Sequence, residues 1–198
     1  MKKMIGRWYK RTFDILLASF GILLFAPFFI LFSYLIWRED KGRVFYTQIR
    51  TGRNGKEFKI LKFRSMTLDS EEVATSSIRV GERQINVTRI GRLLRMTAMD
   101  ELPQLINILK GDMSFVGPRP LMPCENEVID PAIVSRRLSV RPGLAGLAQI
   151  RLDKFVSNHN KLKYDLRYIK IQNLRLDIRI IGVSIMKTLK SEWEKKLR

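Results

Sequence analysis

The sequence predicts a mainly α-helical chain with one small β-hairpin, in which an apolar N-terminal segment meets a membrane and a compact basic domain follows on its cytoplasmic side. Three observations carry that prediction. Ile15 to Trp37 runs without a charged side chain, longer than the ~20 residues a helix needs to cross a bilayer. Only two stretches read as strands, and Asn54-Gly55, a strong hairpin turn signal, lies between them. The C-terminal third places apolar residues at helical spacing, as at Ile178, Ile181, Ile185 and Leu189.

The apolar run is too long for a signal peptide, and no small-residue cleavage site follows it. Ala26-Pro27 falls near its middle, where proline removes a backbone donor and favours a kink or break. Both flanks are basic: Lys2, Lys3, Arg7, Lys10 and Arg11 before, Arg38, Lys41 and Arg43 after. The positive-inside rule then prefers both ends in the cytoplasm. A helix–break–helix hairpin dipping into one leaflet satisfies both observations, and a kinked single span also fits the residues. Trp8, Tyr9, Tyr34 and Trp37 sit where interfacial aromatics belong.

Next in order, Val44 to Ile49 and Phe58 to Phe63 read as paired strands around a turn over Thr51 to Lys56. Ser70 to Gln84 reads as a polar loop with a single helical turn. Thr88 to Met96 reads as a short helix capped by Thr88, with Arg89, Arg92 and Arg95 along one face. A second helix is expected to start between Glu101 and Pro103 and to stop at Lys110–Gly111. Asp112 to Pro123, rich in proline, reads as a rigid loop. Pro131 to Arg137 reads as a helix, Arg141-Pro142-Gly143 as a turn, and Lys161 to Ile171 and Leu176 to Leu189 as further helices. The basic tail from Lys187, with Trp193, reads as solvated chain or as a membrane-surface helix. No internal repeat or low-complexity linker divides the chain.

The 198 residues carry 37 Lys plus Arg against 19 Asp plus Glu, a net charge of +18. Such an excess calls for an anionic partner: nucleic acid, anionic lipid or a phosphorylated substrate. The single cysteine, Cys124, and the single histidine, His159, exclude an intrachain disulfide and a Cys or His metal cluster. A metal here would be held by carboxylates, which suits a hard cation such as magnesium.

Asp100-Glu101 is the leading candidate for chemistry. Acids at a helix N-terminus often only complement the helix dipole. Here three arginines lead into the pair, and Gly117-Pro118-Arg119-Pro120 follows it. Pro118 and Pro120 would hold the Arg119 guanidinium in place for bidentate phosphate binding, and a metal would join carboxylates to phosphate. Lys62 in Lys62-Phe-Arg-Ser-Met66 is a second basic element, equally readable as a solvated strand end. Asp165 and Asp177 are acids in basic helices; pairing within their own helices, to Lys161 or Arg167 and to Arg175 or Arg179, explains them at least as well.

These residues together resemble the monotopic phosphoglycosyl transferases, the bacterial sugar transferase family. The resemblance runs from the basic N-terminus and Ala26-Pro27 through Lys62–Met66, Thr88-Arg-Ile-Gly-Arg-Leu-Leu-Arg95 and Asp100-Glu-Leu-Pro-Gln-Leu-Ile-Asn107. It continues through Gly111–Pro120, Arg141-Pro-Gly143, Tyr164-Asp165 and Leu176-Asp177. The length resembles the small, catalytic-core-only members. The resemblance implies a re-entrant membrane helix broken at Ser-Pro, with Ala26 standing here in place of the serine. It implies membrane-interfacial helices and two parts acting as one unit: residues 1–40 as membrane hairpin, 41–198 as catalytic domain.

It implies transfer of a phosphosugar from a UDP-sugar donor to a polyprenyl phosphate acceptor, with release of UMP, as the first membrane step of glycoconjugate assembly. Asp100 matches the aspartate that becomes covalently bound to the phosphosugar. Glu101 matches the glutamate associated with Mg2+, so Asp100 and Glu101 are the expected metal site. Arg119 matches the phosphate-binding arginine, and Arg95 and Lys62 are the further expected substrate-phosphate ligands, while Asp165 and Asp177 match supporting positions, as do Pro118 and Pro120. The expected location is the cytoplasmic face of the bacterial inner membrane, among its lipids, with both termini cytoplasmic; a homodimer is left open. The family usually reads Gly-Trp-Ala-Gln-Val-Asn-Gly-Arg where this chain has Gly146-Leu-Ala-Gln-Ile-Arg-Leu-Asp153, a departure near the expected sugar-nucleotide site. The competing class is a non-enzymatic, membrane-anchored basic module that binds nucleic acid or anionic lipid.

Overall fold

The computed structural model describes residues 2–67, 86–152 and 157–190. The loop expected over Ser70 to Gln84, and the tail from residue 191 with Trp193, lie outside the described residues. The element order is α1 (Lys2–Asp40), β1 (Phe45–Thr51), β2 (Glu57–Phe63), α2 (Arg89–Met96), α3 (Gln104–Lys110), β3 (Ser114–Val116), α4 (Pro123–Glu127), α5 (Pro131–Arg137), β4 (Gly143–Ala145), α6 (Leu147–Arg151), α7 (Asn158–Ile171) and α8 (Leu174–Leu189). The chain is mainly helical, as its sequence predicts, with the hairpin where Asn54-Gly55 puts it.

The apolar N-terminal segment differs from the expected helix–break–helix. α1 is one helix of 39 residues that continues through Ala26 and Pro27. Proline removes a single N–H, and the bonds on either side hold the helix together. Two apolar stripes explain its seat. Ala18, Phe32 and Ile36 are buried against the domain, whereas Leu16, Phe20, Leu23, Ile30 and Tyr34 face outward. Ala26 and Pro27 lie on the exposed part.

The inner stripe of α1 organises the core. Ala18 and Ile22 pack with Phe58, Ile60, Leu105, Ile108 and Met113. Further along, Phe29, Phe32 and Ile36 pack with Phe63 and Leu94. The hairpin is antiparallel, with Phe45 opposite Phe63 and Arg50 opposite Phe58. Its turn places Asn54 and Gly55 at φ 58° and 79°, a conformation these two residue types tolerate best.

The expected loop over Asp112 to Pro123 contains a strand. β3 pairs in parallel with β4, Ser114 opposite Gly143 and Val116 opposite Ala145, so the predicted Arg141-Pro142-Gly143 turn feeds a second strand. Beneath this pair Val116, Leu147, Tyr168 and Ile180 form a third core. α7 and α8 begin slightly earlier than their apolar spacing predicts; the Asn173 side chain accepts from Leu176 N at 2.9 Å and starts α8.

Candidate active site

The acidic pair sits in a tight turn between two short helices. α2 ends at Thr97, and Ala98 adopts φ 53°, ψ 20°, a left-handed conformation that costs a non-glycine residue about 1–2 kcal/mol. A 3-10 turn over Met99–Glu101 follows, with Pro103 as N-cap of α3. Asp100 and Glu101 thus precede α3 rather than occupy its first turn. Gly111, at φ 91°, stops α3 as predicted.

α1 fixes both flanking helices from its two ends. Arg11 donates to Ile108 O at 2.6 Å and Leu109 O at 2.7 Å, satisfying carbonyls at the C-terminus of α3. At the other end Glu39 accepts from Arg89 N at 2.7 Å and Ile90 N at 3.2 Å. Thr88 Oγ1 accepts from Gly91 N at 2.9 Å and Thr88 N donates to Ser65 O at 3.2 Å, so all four open donors of α2 are satisfied. Arg64, fully buried, pairs with Asp40. These contacts tie α1 to the turn that carries the acids.

Lys62, at the end of β2, reaches Glu101 Oε1 at 2.5 Å. In the structure it is the partner of the second acid. Burial works to raise the carboxyl pKa of Glu101, but the charge and hydrogen bond of Lys62, the charge of Arg119 and a hydrogen bond with Gln104 outweigh it and hold it below its ordinary value. Asp100 forms no ion pair among the described residues. Burial pushes its carboxyl up to about 6, reinforced by Glu101 and opposed by Lys62 and Arg95. Two adjacent carboxyls are therefore driven apart, which marks functional sites more often than structural ones.

Arg95 is exposed on α2 and donates Nε to Ser65 Oγ at 2.9 Å. That contact depends on Gly91, where a Cβ would lie 2.1 Å from Ser65 O. Arg89 and Arg92 are also exposed; Arg95 is the one of the three with a charge felt at Asp100. Pro118 and Pro120 are buried and Arg119 between them is exposed. The loop leaves Arg119 exposed and close enough for its charge to act on Glu101. A small cavity beside it is lined by Thr51, Pro118, Arg119, Asn126, Arg137 and Pro142, among others.

Asp165 and Asp177 do not pair within their helices. Asp165 binds Arg137 Nε on α5 at 3.0 Å, and both are buried. Asp177 binds Lys10 Nζ on α1 at 2.7 Å and accepts from Tyr168 OH at 2.7 Å. Both acids face inward, where an exposed intrahelical partner does not reach them. Burial, then the neighbouring Asp177 charge, raises Tyr168 far above the ordinary phenol value, so its hydroxyl stays a donor.

Arg137, Lys10, Tyr168 and Gln104 were not singled out in the sequence. Arg137 looks like a basic C-terminus of a short helix, and Lys10 like a positive flank of the membrane segment. The one local clue is Asp14, an acid four residues after Lys10 at the edge of the apolar run. It is buried and accepts from Ser114 Oγ at 3.0 Å and Phe115 N at 3.1 Å.

As a cation site, Asp100 and Glu101 offer hard oxygen donors, and Asp100 is a desolvated carboxyl short of positive charge. Magnesium commonly takes one or two carboxylates, with water and substrate phosphate completing its shell. The pair fits that ion, and no set of three or more candidate metal ligands occurs among the described residues.

Comparison with known proteins matches residues 5–191 to the family described as bacterial sugar transferase. The chain is 40% identical over 194 residues to the exopolysaccharide production protein ExoY of Rhizobium meliloti (strain 1021), covering 91% of this chain and 85% of that protein. It is 37% identical over 190 residues to the UDP-glucose:undecaprenyl-phosphate glucose-1-phosphate transferase of Klebsiella pneumoniae, covering 92% of this chain and 40% of that one. It is 37% identical over 188 residues to the UDP-N-acetylgalactosamine-undecaprenyl-phosphate N-acetylgalactosaminephosphotransferase of Aeromonas hydrophila, covering 91% and 44%. The chain thus spans most of the first relative and less than half of the other two.

Proposed function

We propose, from the premise that this chain belongs to the bacterial sugar transferase family, that it transfers a sugar phosphate from a UDP-sugar to undecaprenyl phosphate and releases UMP, through a covalent intermediate on Asp100. The observation that carries this reading is the split acidic pair: Glu101 held ionised by Lys62, and Asp100 desolvated without an ion-pair partner among the described residues, under the charges of Lys62 and Arg95. The names of the Klebsiella and Aeromonas relatives support the donor and acceptor classes.

The chemistry follows from these groups. A carboxylate raised to about 6 is still mostly ionised at neutral pH, and its weak solvation leaves it the more reactive of the pair. An Asp100 oxygen attacks the phosphorus that bears the sugar. The bond to the UMP phosphate oxygen breaks, and UMP leaves with the electron pair. An oxygen of undecaprenyl phosphate then attacks the same phosphorus, breaks the acyl-phosphate bond and restores the Asp100 carboxylate. Arg119 binds the donor phosphates, and Arg95 adds positive field where phosphate approaches. Magnesium, held by Asp100 and Glu101, would neutralise phosphate charge during this exchange.

The acceptor is lipid-bound, so the site must face the bilayer. Two observations support a one-sided seat of α1. Its outer stripe is apolar and exposed over several turns, and lipid suits such a surface. Its Arg11 and Glu39 regions both bind the same domain, whereas a helix spanning the bilayer puts its ends ~30 Å apart on opposite faces. On this reading α1 lies along the cytoplasmic face with its outer stripe in lipid, and both termini are on that face. Residues 1–40 seat the protein and 41–198 carry the chemistry as one unit. The rival reading, a non-enzymatic basic module, leaves the split acidic pair without a use.

The test is UMP release by the full chain in lipid nanodiscs, with undecaprenyl phosphate, magnesium and a panel of UDP-sugars. Turnover with one donor, its loss with EDTA, its loss in Asp100→Asn, and a sugar-phosphate mass adduct on Asp100 without acceptor are expected. Full turnover by Asp100→Asn would falsify the mechanism.

A further inference from the structure

The segment that delivers Arg119 is held by four of its carbonyls. Val116 O accepts from Lys10 Nζ at 2.8 Å. Pro118 O accepts from Gly143 N at 2.9 Å. Arg119 O accepts from Arg137 Nη2 at 2.9 Å. Pro120 O accepts from Arg50 Nη1 at 3.3 Å. Each of the three cations is itself held by an acid: Lys10 by Asp177, Arg137 by Asp165 and Arg50 by Glu125. The Arg137–Asp165 pair is the most buried, with side-chain exposures of 4% and 7%.

We infer that Arg137, locked by Asp165, is a positioning residue that sets the direction of the Arg119 guanidinium by gripping the Arg119 carbonyl, with Lys10–Asp177 anchoring the strand that leads into the same loop.

The physical argument rests on what is left free. Pro118 and Pro120 have no N–H and a fixed φ, so the loop cannot be oriented through their donors. At Pro118 and Pro120, the two residues that flank Arg119, only the carbonyls remain as handles. A guanidinium grips with rigid, planar geometry, and one already bound by a carboxylate has little freedom left to lose. Arg137 uses Nε for Asp165 and Nη2 for the carbonyl, so the acid fixes the plane of the group that fixes the loop. This also gives Asp165 a use that pairing within α7 does not supply. Arg137 touches no substrate on this account. It acts through Arg119.

The inference rests on the reading of Arg119 as a donor-phosphate ligand, and the test separates the two. The measurement is UDP affinity of the full chain in nanodiscs, by equilibrium binding, so a variant without turnover still reports. Thermal melting of each variant is recorded alongside. Arg137→Met is expected to weaken UDP binding about tenfold, the scale of a lost charged hydrogen bond, and Arg119→Ala by at least as much. In the Arg119→Ala background, Arg137→Met is expected to add less than about twofold, because residues acting through one another are not additive. Arg137→Met/Asp165→Leu removes the buried acid along with its partner, and such apolar replacements often keep stability. It is expected to melt close to the unaltered chain and still bind UDP weakly. Equal losses in both backgrounds, or UDP affinity restored by the paired replacement, overturn the inference and make Arg137 a purely structural residue. Absence of UDP binding by the unaltered chain instead sinks the donor reading, and this inference with it.

Discussion

Replacing Lys10 with methionine tests how firmly α1 is locked to the rest of the chain. The ammonium has three protons, and all three are used: on Val116 O at 2.8 Å, Tyr168 OH at 2.6 Å and Asp177 Oδ2 at 2.7 Å. Tyr168 in turn donates to Asp177 Oδ1. The Asp177 side chain is 4% exposed and that of Lys10 is 21%. Methionine keeps the apolar stem and leaves a buried carboxylate with the tyrosine alone. Breaking a buried pair costs about 3–5 kcal/mol, and the partial exposure of Lys10 places this one at the lower end, about 3 kcal/mol. For a chain of this size each kcal/mol shifts the melting temperature by ~2–4 °C, so a drop of ~6–12 °C is expected. The assay is thermal unfolding in nanodiscs, followed by far-UV circular dichroism. Lys10→Met/Asp177→Asn is the control. It removes the stranded charge, and the amide oxygen still accepts from Tyr168, so it is expected to recover at least half of the loss. A Lys10→Met melt within ~2 °C of the unaltered chain, or a double variant less stable than the single one, would refute the reasoning.

Gly91→Ala places a methyl group 2.1 Å from Ser65 O; overpacking of this kind costs about 1–3 kcal/mol, and both melting temperature and UMP release should fall as Arg95 is pushed off Ser65. An unchanged rate would show that α2 can shift without consequence. Ala98→Gly relieves the left-handed φ of 53° and should raise stability by about 1 kcal/mol; a lower melting temperature would contradict the strain assigned to that turn. With Cys124 replaced by serine, single cysteines at Trp8 and at Arg38 should resist an impermeant maleimide in intact spheroplasts and react in inside-out vesicles. Labelling of either from the outside would reject the one-sided seat of α1.

The readable parts of this fold are those governed by local chemistry. Asn54-Gly55 forms a turn because those two residues tolerate positive φ. Thr88 caps α2 and Gly111 stops α3 for equally local reasons. The Asp100–Glu101 pair and the proline-flanked Arg119 stand out in the sequence because their residue types crowd within a short stretch. The same local logic misjudged Asp165 and Asp177. Basic residues near them in sequence suggested partners, but burial turned them toward cations on other elements.

The sequence by itself determined that an uncharged N-terminal run precedes a basic, mainly helical body, and that two acids lie between arginine-rich and proline-rich segments. Spacing, charge and turn chemistry act over a few residues, so one chain is enough to read them. Only the tertiary structure decided that α1 runs unbroken through Pro27 with one stripe on the domain, that β3 and β4 pair, and that Lys62 belongs to Glu101. It alone brought Lys10, Arg50 and Arg137 to the carbonyls of the Arg119 loop. Those contacts join residues from 18 to 106 positions apart. Their formation depends on which surfaces are buried together, and no local pattern encodes that.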